Sequence, residues 1–439
     1  MSGMSIALVG FLSMLGLIAL RMPIGLALFA VGSLGYIHYT GLDVFMSYLK
    51  TTPYFLFSNY TLSVIPLFIL MGAFAERSGL SQDLFRAANA LVGHRRGGMA
   101  MGVIGACTAF GAICGSSVAT TATFGRAALP ELLRYRYAPS LATGTIAVGG
   151  TLGILIPPSV ILVVYAISTE QNIVKLFQAA LIPGLLAAAS YCLVIALVVR
   201  RNPDLAPPHA RISGAERRAA LLAVWPVLLV ALVVVGGIYG GVFTPTEGAA
   251  VGSAAMLAIS LARRSLSLAD FRAALLQTAE TTAFIFLILL GAEVFNAFLA
   301  FTQLPTDAAT AVASLGLPPY AVLALLLAVY IVLGAVMDEL AMILLTLPVF
   351  FPVVSGLDFG LQPDETAIWF GILVLIVVGI GLTAPPIGLN VFVISAIARG
   401  VPITQTYRGV LPFLAADVAR LALCVAFPSL SLAMVWWLG

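Results

Sequence analysis

The chain has 439 residues, of which 61% are hydrophobic and 9% are charged, and its formal net charge at pH 7 is +3. So few charged residues cannot cover the surface of soluble domains, which excludes a water-soluble protein and predicts a polytopic membrane protein in a lipid bilayer. The small net charge gives no reason to expect nucleic-acid binding.

Apolar stretches bounded by charged or turn residues predict the membrane spans. In chain order they cover 5–20, 23–40, 60–76, 138–167, 177–199, 219–240, 246–262, 279–302, 367–398 and 410–437. The first stretch lacks a basic region and a small-residue cleavage site, so we interpret it as a mature span and not as a signal peptide. Two amphipathic stretches, 43–57 and 266–277, are predicted to be arm helices on the membrane surface, with plain loops as the alternative.

Two further apolar stretches, 98–133 and 320–354, are too long for one crossing and have polar or glycine-rich centres, GSSVATTAT and MDEL. Each is predicted to be a re-entrant helical hairpin, which enters and leaves the membrane on one side. Its non-helical tip must then be buried in protein, because lipid cannot satisfy bare backbone groups.

Two spans are predicted to be broken helices. Residues 149–159 read GGTLGILIPPS, and residues 379–390 read GIGLTAPPIGLN. Proline removes a backbone donor and clashes with the preceding turn, so a Pro-Pro pair inside a span should split it into two half-helices. Broken helices at matching positions of two halves indicate the substrate and ion sites of a transporter.

Positively charged residues predict the orientation, because cytoplasmic loops carry an excess of them. The loop with Arg200, Arg201, Arg211, Arg217 and Arg218 is the clearest cytoplasmic segment. Counting outward from it places both termini in the periplasm. The same count brings the first hairpin in from the cytoplasm and the second in from the periplasm.

The segments recur after about 220 residues: IPLFILMGAFAE at 65–76 resembles FIFLILLGAEVF at 284–295, and the two Pro-Pro pairs align. Each half has an odd number of crossings, so the second half should lie upside down relative to the first. We therefore predict an all-α fold with an inverted-topology repeat. The first repeat covers 1–200, a cytoplasmic linker covers 201–218, and the second repeat covers 219–439.

Enzyme signatures are missing from the sequence. The three histidines are scattered, and no HExxH, DDxxD, G-x-S-x-G or phosphate-binding glycine loop occurs. The four cysteines lie in apolar segments without metal-ligand spacing and are interpreted as small buried residues. We predict that the chain is not an enzyme and carries no organic cofactor.

The first hairpin tip faces the break of the first broken helix at mid-membrane depth. The residues concerned are Ser116, Ser117 and Thr121 on the hairpin and Thr151, Gly153 and Pro157 at the break. Hydroxyl oxygens and carbonyls freed from helical hydrogen bonds are hard ligands that suit an alkali cation such as Na+. Small-residue packing between helices is the alternative interpretation.

The second hairpin tip predicts a symmetric cation site. Its candidate ligands are Gly334, Asp338, Gly381, Thr383 and Ala384. A carboxylate at the bilayer centre costs roughly 2.5–3.5 kcal/mol on insertion scales and usually has a function, which makes Asp338 the most informative of them. The neighbouring Glu339 is the alternative ligand.

Three residues are candidates for substrate binding: Arg126, Asn390 and Thr121. The Arg126 guanidinium can bind a carboxylate through two donors, neutralise the tip dipoles, or extend to the cytoplasmic surface. Asn390 can donate to substrate or cap the second half-helix. Glu76, like Glu280 and Glu293, is given no role.

Several segments together resemble the large membrane subunit (M) of tripartite ATP-independent periplasmic (TRAP) transporters. They are TLGILIPPS, the GSSVATTAT hairpin, SVIPLFILMGAFAE, GVFTPTEGAA, FNAFLAFTQLP and APPIGLNVFVIS. The resemblance extends from about residue 5 to 437. It implies a sodium-coupled secondary importer of organic acids in the bacterial inner membrane, and its sodium sites fall on the two clusters described above.

The resemblance also implies two partners and an elevator-type movement. A periplasmic substrate-binding protein should deliver the substrate. A small four-helix membrane subunit is expected as a separate chain, because the first span of the repeat begins within about ten residues of Met1. The hairpins and broken helices should move against a scaffold formed by the first two and the last spans of each half. A stand-alone sodium/dicarboxylate symporter of related architecture is the alternative function, and the identity of the organic acid stays open.

Overall fold

The computed structural model of the chain describes residues 3–208, 211–314 and 316–438, without the side chains at 305, 309 and 311–313. These residues form α-helices, two 3-10 turns and connecting loops, with no strand among the residues described. Six of the described helices are long and apolar enough to cross a membrane, and a bent helix pair adds a seventh candidate span. The prediction of an all-α polytopic membrane fold is confirmed.

Among the residues described, the first half of the chain has ten α-helices. They are α1 (Gly3–Ala19), α2 (Ile24–Thr40), α3 (Leu42–Phe57), α4 (Val64–Arg77), α5 (Leu80–Val92), α6 (Gly98–Cys114), α7 (Ser117–Arg134), α8 (Pro139–Leu155), α9 (Val160–Ser168) and α10 (Ile173–Arg201). The predicted hairpin is α6–α7, and the predicted broken helix is α8–α9. The predicted arm is α3.

The second half repeats this order. Its helices are α11 (Gly214–Tyr239), α12 (Pro245–Ala262), α13 (Leu268–Thr302), α14 (Leu304–Ser314), α15 (Pro319–Gly334), α16 (Glu339–Ser355), α17 (Pro363–Gly381), α18 (Leu389–Ile397), α19 (Ile403–Ala426) and α20 (Ser429–Leu438). The second hairpin is α15–α16, and the second broken helix is α17–α18. Both hairpins and both breaks therefore occur where the sequence predicts them.

The two breaks follow from local backbone chemistry. The axes of α8 and α9 differ by 45° across Ile156–Ser159, where Pro157 and Pro158 supply no N–H. The second break is longer and ends at Gly388, whose φ of +57° is left-handed. Each break leaves carbonyl oxygens without helical partners inside the protein.

Four elements differ from the sequence prediction. The second arm and the following span form one continuous helix, α13, whereas the predicted span 410–437 is divided into α19 and α20 around Phe427–Pro428. No element was predicted for the stretches that form α5 and α14. The α5 sequence LSQDLFRAANALV is too polar for a span, but Leu80, Leu84 and Phe85 share one buried face, so α5 folds against the bundle.

The two halves are interlocked. Helix α2 packs along α13, α4 packs on α12, α7 packs on both α8 and α18, and α19 packs on α8. The last span of the first half, α10, packs on α20, α19 and α6, and α19 packs on α8 and α10. Which spans belong to the scaffold stays a prediction.

Candidate functional site

A cavity of about 380 Å³ lies between the two hairpin tips. Its lining includes Gly115, Ser116, Val118 and Ala119 of the first hairpin, Asp338, Glu339 and Leu340 of the second, Val160, Ile161 and Leu389 of α9 and α18, and Gly72, Glu76, Gln277, Thr281 and Phe284 of α4 and α13. Both hairpins, the second half of both broken helices and the pair α4 and α13 thus converge on one space. Each half of the chain supplies one of each kind of element to this space.

The first tip is held close to the first break. Gly115 has a left-handed φ of +63°, and a Cβ built on it would lie 3.1 Å from the carbonyl oxygen of Pro158. Ser116 is the N-cap of α7, where its Oγ accepts a weak hydrogen bond from the N–H of Ala119 at 3.4 Å. The backbone of Gly153 lies against the Ser116 carbonyl, so Ser116 and Gly153 are brought together as predicted.

Three buried oxygens beside this tip have no hydrogen-bond partner among the described residues: Thr121 Oγ1, Ser159 Oγ and Asn390 Oδ1. The Thr121 hydroxyl is packed on the backbone of Gly150. Unpartnered buried oxygens are costly. Their chemistry fits a desolvated Na+, which accepts such oxygens as ligands.

Asn390 joins the two halves of the chain. Its side-chain amide donates to Ser117 Oγ at 2.7 Å and to the Ala147 carbonyl at 3.1 Å, and the residue is fully buried. It neither lines the cavity nor caps α18, whose N-cap is Gly388. Of the three candidate substrate residues, Asn390 and Thr121 are thus placed beside the first tip, outside the cavity.

Thr151 lies in the last turn of α8. Its hydroxyl donates to the Val148 carbonyl at 2.7 Å and contacts the Tyr191 hydroxyl at 3.2 Å. Pro157 is buried at the break and does not line the cavity. The structure brings Gly153 together with the first tip, whereas Thr151 faces Tyr191 of α10 and Pro157 contributes through the shape of the break.

The second tip places two carboxyl groups at the cavity. Asp338 is the N-cap of α16, and its Oδ1 accepts from the N–H groups of Leu340 and Ala341, both at 3.1 Å. The Oε2 atom of Glu339 is buried without a hydrogen-bond partner among the described residues. Asp338 therefore has a structural role as a cap, and both acids face the space in which a cation would sit.

The second tip is also in close contact with the second broken helix. A Cβ built on Gly381 would lie 2.6 Å from the carbonyl carbon of Gly334, so the two backbones touch. The Thr383 hydroxyl donates to the carbonyl of Ile380 at 3.1 Å, which leaves its lone pairs available. Ala384 lies next in the same turn. Gly334 and the turn from Gly381 to Ala384 therefore lie together, and Asp338 follows Gly334 at the tip of the same hairpin.

Arg126 is bound to an acidic residue that the sequence interpretation left without a role. Its Nη2 donates to Glu76 Oε1 at 2.6 Å, and the Arg126 side chain is 58% exposed. Glu76 lines the cavity and Arg126 does not. The guanidinium thus lies outside the cavity, on the far side of the Glu76 carboxylate.

The cavity is acidic. Glu76, Asp338 and Glu339 line it, and no lysine, arginine or histidine occurs among its described lining residues. This field attracts cations and opposes the entry of a free carboxylate. An anion can therefore occupy the space favourably only when positive charge accompanies it.

Sequence reasoning missed several polar residues. Ser159, which follows the Pro-Pro pair, and Glu76, which ends a span, gave weak signals. Asp417 and Arg420 gave a clear one, because two charged residues three apart inside an apolar span are rarely without a role. They form a fully buried ion pair in α19.

Comparison with known proteins identifies the family. Residues 11–430 match the DctM component of tripartite ATP-independent periplasmic transporters. The chain is 39% identical over 383 residues to the C4-dicarboxylate TRAP transporter large permease protein DctM of Pseudomonas aeruginosa, with 87% of each chain covered. It is 32% identical over 375 residues to the sialic acid TRAP transporter large permease protein SiaM of Vibrio cholerae, which covers 85% of this chain and 86% of SiaM.

A solved structure supports the fold. The crystal structure of the YdaH transporter of Alcanivorax borkumensis superposes with a TM-score of 0.60, covers 90% of each chain and shares 16% sequence identity. At that identity the likeness concerns the fold alone. The family match and the high coverage of the relatives carry the assignment: the chain belongs to the DctM family and is the large permease subunit of a TRAP transporter, a multi-pass membrane protein.

Proposed function

We propose that this chain is the translocation subunit of a sodium-coupled secondary importer of organic acids. The observation that carries the proposal is the acidic cavity between the two hairpin tips, with a cluster of buried oxygens beside each tip. Such a cavity favours a cation-coupled mechanism, because a carboxylate substrate meets like charge unless cations bind with it.

The two oxygen clusters are our candidate sodium sites. The first combines the Ser116–Ser117 tip with the turn from Thr151 to Pro157, and we add Thr121 and Ser159 to it. The second combines Asp338 with Gly334 and the turn from Gly381 to Ala384. Sodium would supply positive charge and accept lone pairs from these oxygens. The protein residues hold each tip against its break.

Arg126 and Glu76 give the substrate a specific point of contact. Arg126 presents a planar fork of donors that matches a carboxylate, and Glu76 already occupies one of them at 2.6 Å. We infer that the substrate carboxylate exchanges with Glu76 as the partner of Arg126. This exchange keeps the guanidinium paired in both the empty and the loaded states.

The partners and the orientation belong to the same proposal. A periplasmic binding protein delivers the substrate, and a small four-helix membrane subunit, encoded as a separate chain, supports the scaffold. The chain lies in the bacterial inner membrane with both termini in the periplasm. The hairpins and the broken helices move as one unit relative to α2 and α13, in an elevator-type cycle.

The test is uptake into proteoliposomes. The proposed periplasmic binding protein is first titrated with a panel of organic acids, including succinate and N-acetylneuraminate. The tightest ligand is then used in radiolabelled form. Uptake should require the binding protein and an inward sodium gradient, and it should stop when potassium replaces sodium at a fixed membrane potential.

Two outcomes contradict separate parts of the proposal. Uptake at full rate with potassium in place of sodium contradicts the proposed sodium coupling. Uptake at full rate without the binding protein contradicts the proposed tripartite assembly and favours a stand-alone symporter.

A further inference from the structure

An ion pair is buried inside α19, a predicted membrane span. Arg420 Nη2 and Asp417 Oδ1 are 2.7 Å apart, and their side chains are 2% and 1% exposed. Charged groups at this depth are costly, and they are usually retained only for a specific role. Because the two residues are one turn apart on a single helix, their pairing alone does not connect α19 to anything.

The connection is made through α10. The Tyr191 hydroxyl lies 2.9 Å from Asp417 Oδ1 and 2.8 Å from Oδ2, and it donates to this carboxylate. Arg420 Nη1 also donates to the carbonyl of Pro183 at 3.3 Å. The ion pair therefore fixes α10 at two points, about two turns apart.

Helix α10 in turn contacts the first break. The Tyr191 hydroxyl is 3.2 Å from Thr151 Oγ1, in the last turn of α8. A Cβ built on Gly184 would lie 2.9 Å from the carbonyl oxygen of Leu155, where α8 ends. Two contacts from α10 thus hold the residues that precede the Pro-Pro pair.

The Asp417 carboxylate determines in which direction the Tyr191 hydroxyl donates its proton. Tyr191 has one hydroxyl proton, and an ionised Asp417 can only accept it. The Tyr191 oxygen can then only accept from Thr151 Oγ1, which shares its single proton between this oxygen at 3.2 Å and the Val148 carbonyl at 2.7 Å. Arg420 pairs with Asp417 and holds its carboxylate beside Tyr191, so the pair sets the orientation of a hydroxyl at the break.

We propose that Asp417 and Arg420, acting through Tyr191, are positioning residues that fix the α8 turn at Thr151 for cation binding. This inference rests on the proposed function, since it assigns these residues to the first sodium site. A merely structural role makes a different prediction. It lowers the stability of the protein without sodium and leaves the affinity for sodium unchanged.

The experiment uses the complex of this chain with the small membrane subunit in nanodiscs. Its melting temperature is measured while sodium chloride replaces potassium chloride at constant ionic strength, so that the midpoint of sodium-dependent stabilisation reports sodium affinity. Tyr191→Phe removes the hydroxyl and leaves the ion pair in place. We expect the midpoint to move to a threefold to tenfold higher sodium concentration, the ratio that follows from the loss of one buried hydrogen bond.

Tyr165→Phe is the matched control. Tyr165 is equally buried, and its hydroxyl donates to the Ala367 carbonyl at 2.7 Å, away from Thr151. We expect this variant to melt at a lower temperature with an unchanged sodium midpoint. The variant Asp417→Asn with Arg420→Gln removes both charges together, which avoids leaving one buried charge alone.

A double-mutant comparison completes the test. The charge-free pair should raise the sodium midpoint in the wild type and raise it by less in Tyr191→Phe, where only the contact of Arg420 with Pro183 remains to be lost. A Tyr191→Phe protein with the wild-type sodium midpoint overturns the proposal, whatever its melting temperature. A wild-type complex that sodium does not stabilise is a different failure, because it removes the proposed sodium coupling itself.

Discussion

Arg126 on α7 donates a 2.6 Å hydrogen bond to Glu76 on α4. Glu76 lines the cavity between the hairpin tips, and Arg126 lies behind it. The pair joins the first hairpin to a helix outside it. If the substrate carboxylate replaces Glu76, the two residues have opposite effects on substrate affinity.

The first prediction uses this opposition. Glu76→Gln removes the competing charge, so the apparent substrate affinity in binding to the purified complex should rise about threefold. Arg126→Lys keeps the positive charge but loses the two-donor fork, so the affinity should fall about fivefold, roughly 1 kcal/mol. Isothermal titration with the acid that the binding protein selects measures both changes.

Arg134→Lys is the control for this pair. Arg134 contacts Glu131 on its own helix at 3.6 Å and is largely exposed. Its substitution should leave affinity unchanged. Equal affinities for wild type, Arg126→Lys and Glu76→Gln would contradict substrate binding by Arg126. They would favour the alternative that its side chain extends to the cytoplasmic surface.

The second prediction concerns Asp338. Asparagine caps a helix about as well as aspartate, so Asp338→Asn should keep the α16 cap and change the free energy of unfolding by less than about 1 kcal/mol. It removes the charge that attracts a cation. Sodium-driven uptake should therefore fall at least tenfold at the sodium concentration that half-saturates the wild type.

Asp358→Asn is the control, because it makes the same aspartate-to-asparagine change away from the cavity. Asp358 also accepts a backbone N–H, from Gly360 at 2.8 Å, but it is exposed in a loop. Uptake by this variant should match the wild type. An Asp338→Asn transporter with wild-type sodium dependence would assign the second site to Glu339 or to backbone oxygens.

The third prediction concerns the contact between Gly334 and Gly381. A methyl group on Gly381 would lie within 2.6 to 2.9 Å of the Gly334 backbone, and neither backbone can yield as a side chain does. Gly381→Ala should therefore destabilise the protein by about 1–3 kcal/mol and separate the second tip from its broken helix. Thermal unfolding and sodium-dependent uptake should both show the loss.

Gly236 provides the reference. It lies inside α11 with nothing within 4 Å of its built Cβ. Gly236→Ala should be neutral or stabilise the helix by up to about 1 kcal/mol. The explanation by close contact fails if the two alanine variants unfold at the same temperature.

The parts of the fold that were predictable from the sequence are those that a local signal determines. Pro157 and Pro385 break spans by themselves, and the polar tips of the hairpins interrupt apolar stretches wherever they fold. Helix α5 carries a different signal, an amphipathic period with Leu80, Leu84 and Phe85 on its buried face, which a search for apolar spans does not detect. Helix α14 is short, and no local signal marks it. The continuity of α13 was equally hidden, because an amphipathic arm and an apolar span can join without a turn residue.

The candidate site was predictable to the extent that symmetry places it. Ser116 and Asp338 could be named because each follows a hairpin's first helix. The partners of Asn390 and Arg126 could not, because the bonds to Ser117 and Glu76 connect residues 273 and 50 positions apart. Contacts between such distant residues depend on how whole elements pack against one another. The pattern of a single sequence does not show which individual residues will meet.

The last prediction concerns Thr121, whose sequence context allowed both a cation ligand and a substrate contact. The residue is fully buried beside the first tip, outside the cavity, and its Oγ1 has no hydrogen-bond partner among the described residues. Thr121→Val removes the oxygen and nearly preserves the shape. If Oγ1 binds sodium, the sodium concentration for half-maximal uptake should rise about threefold to tenfold.

Thr123→Val is the control, because Thr123 is on the same helix, is buried and has an equally unpartnered hydroxyl. Its loss should leave sodium dependence unchanged and stabilise the protein by about 1 kcal/mol, since an unsatisfied buried group disappears. The same gain in stability from Thr121→Val, with unaltered sodium dependence, would mean that its oxygen binds no cation.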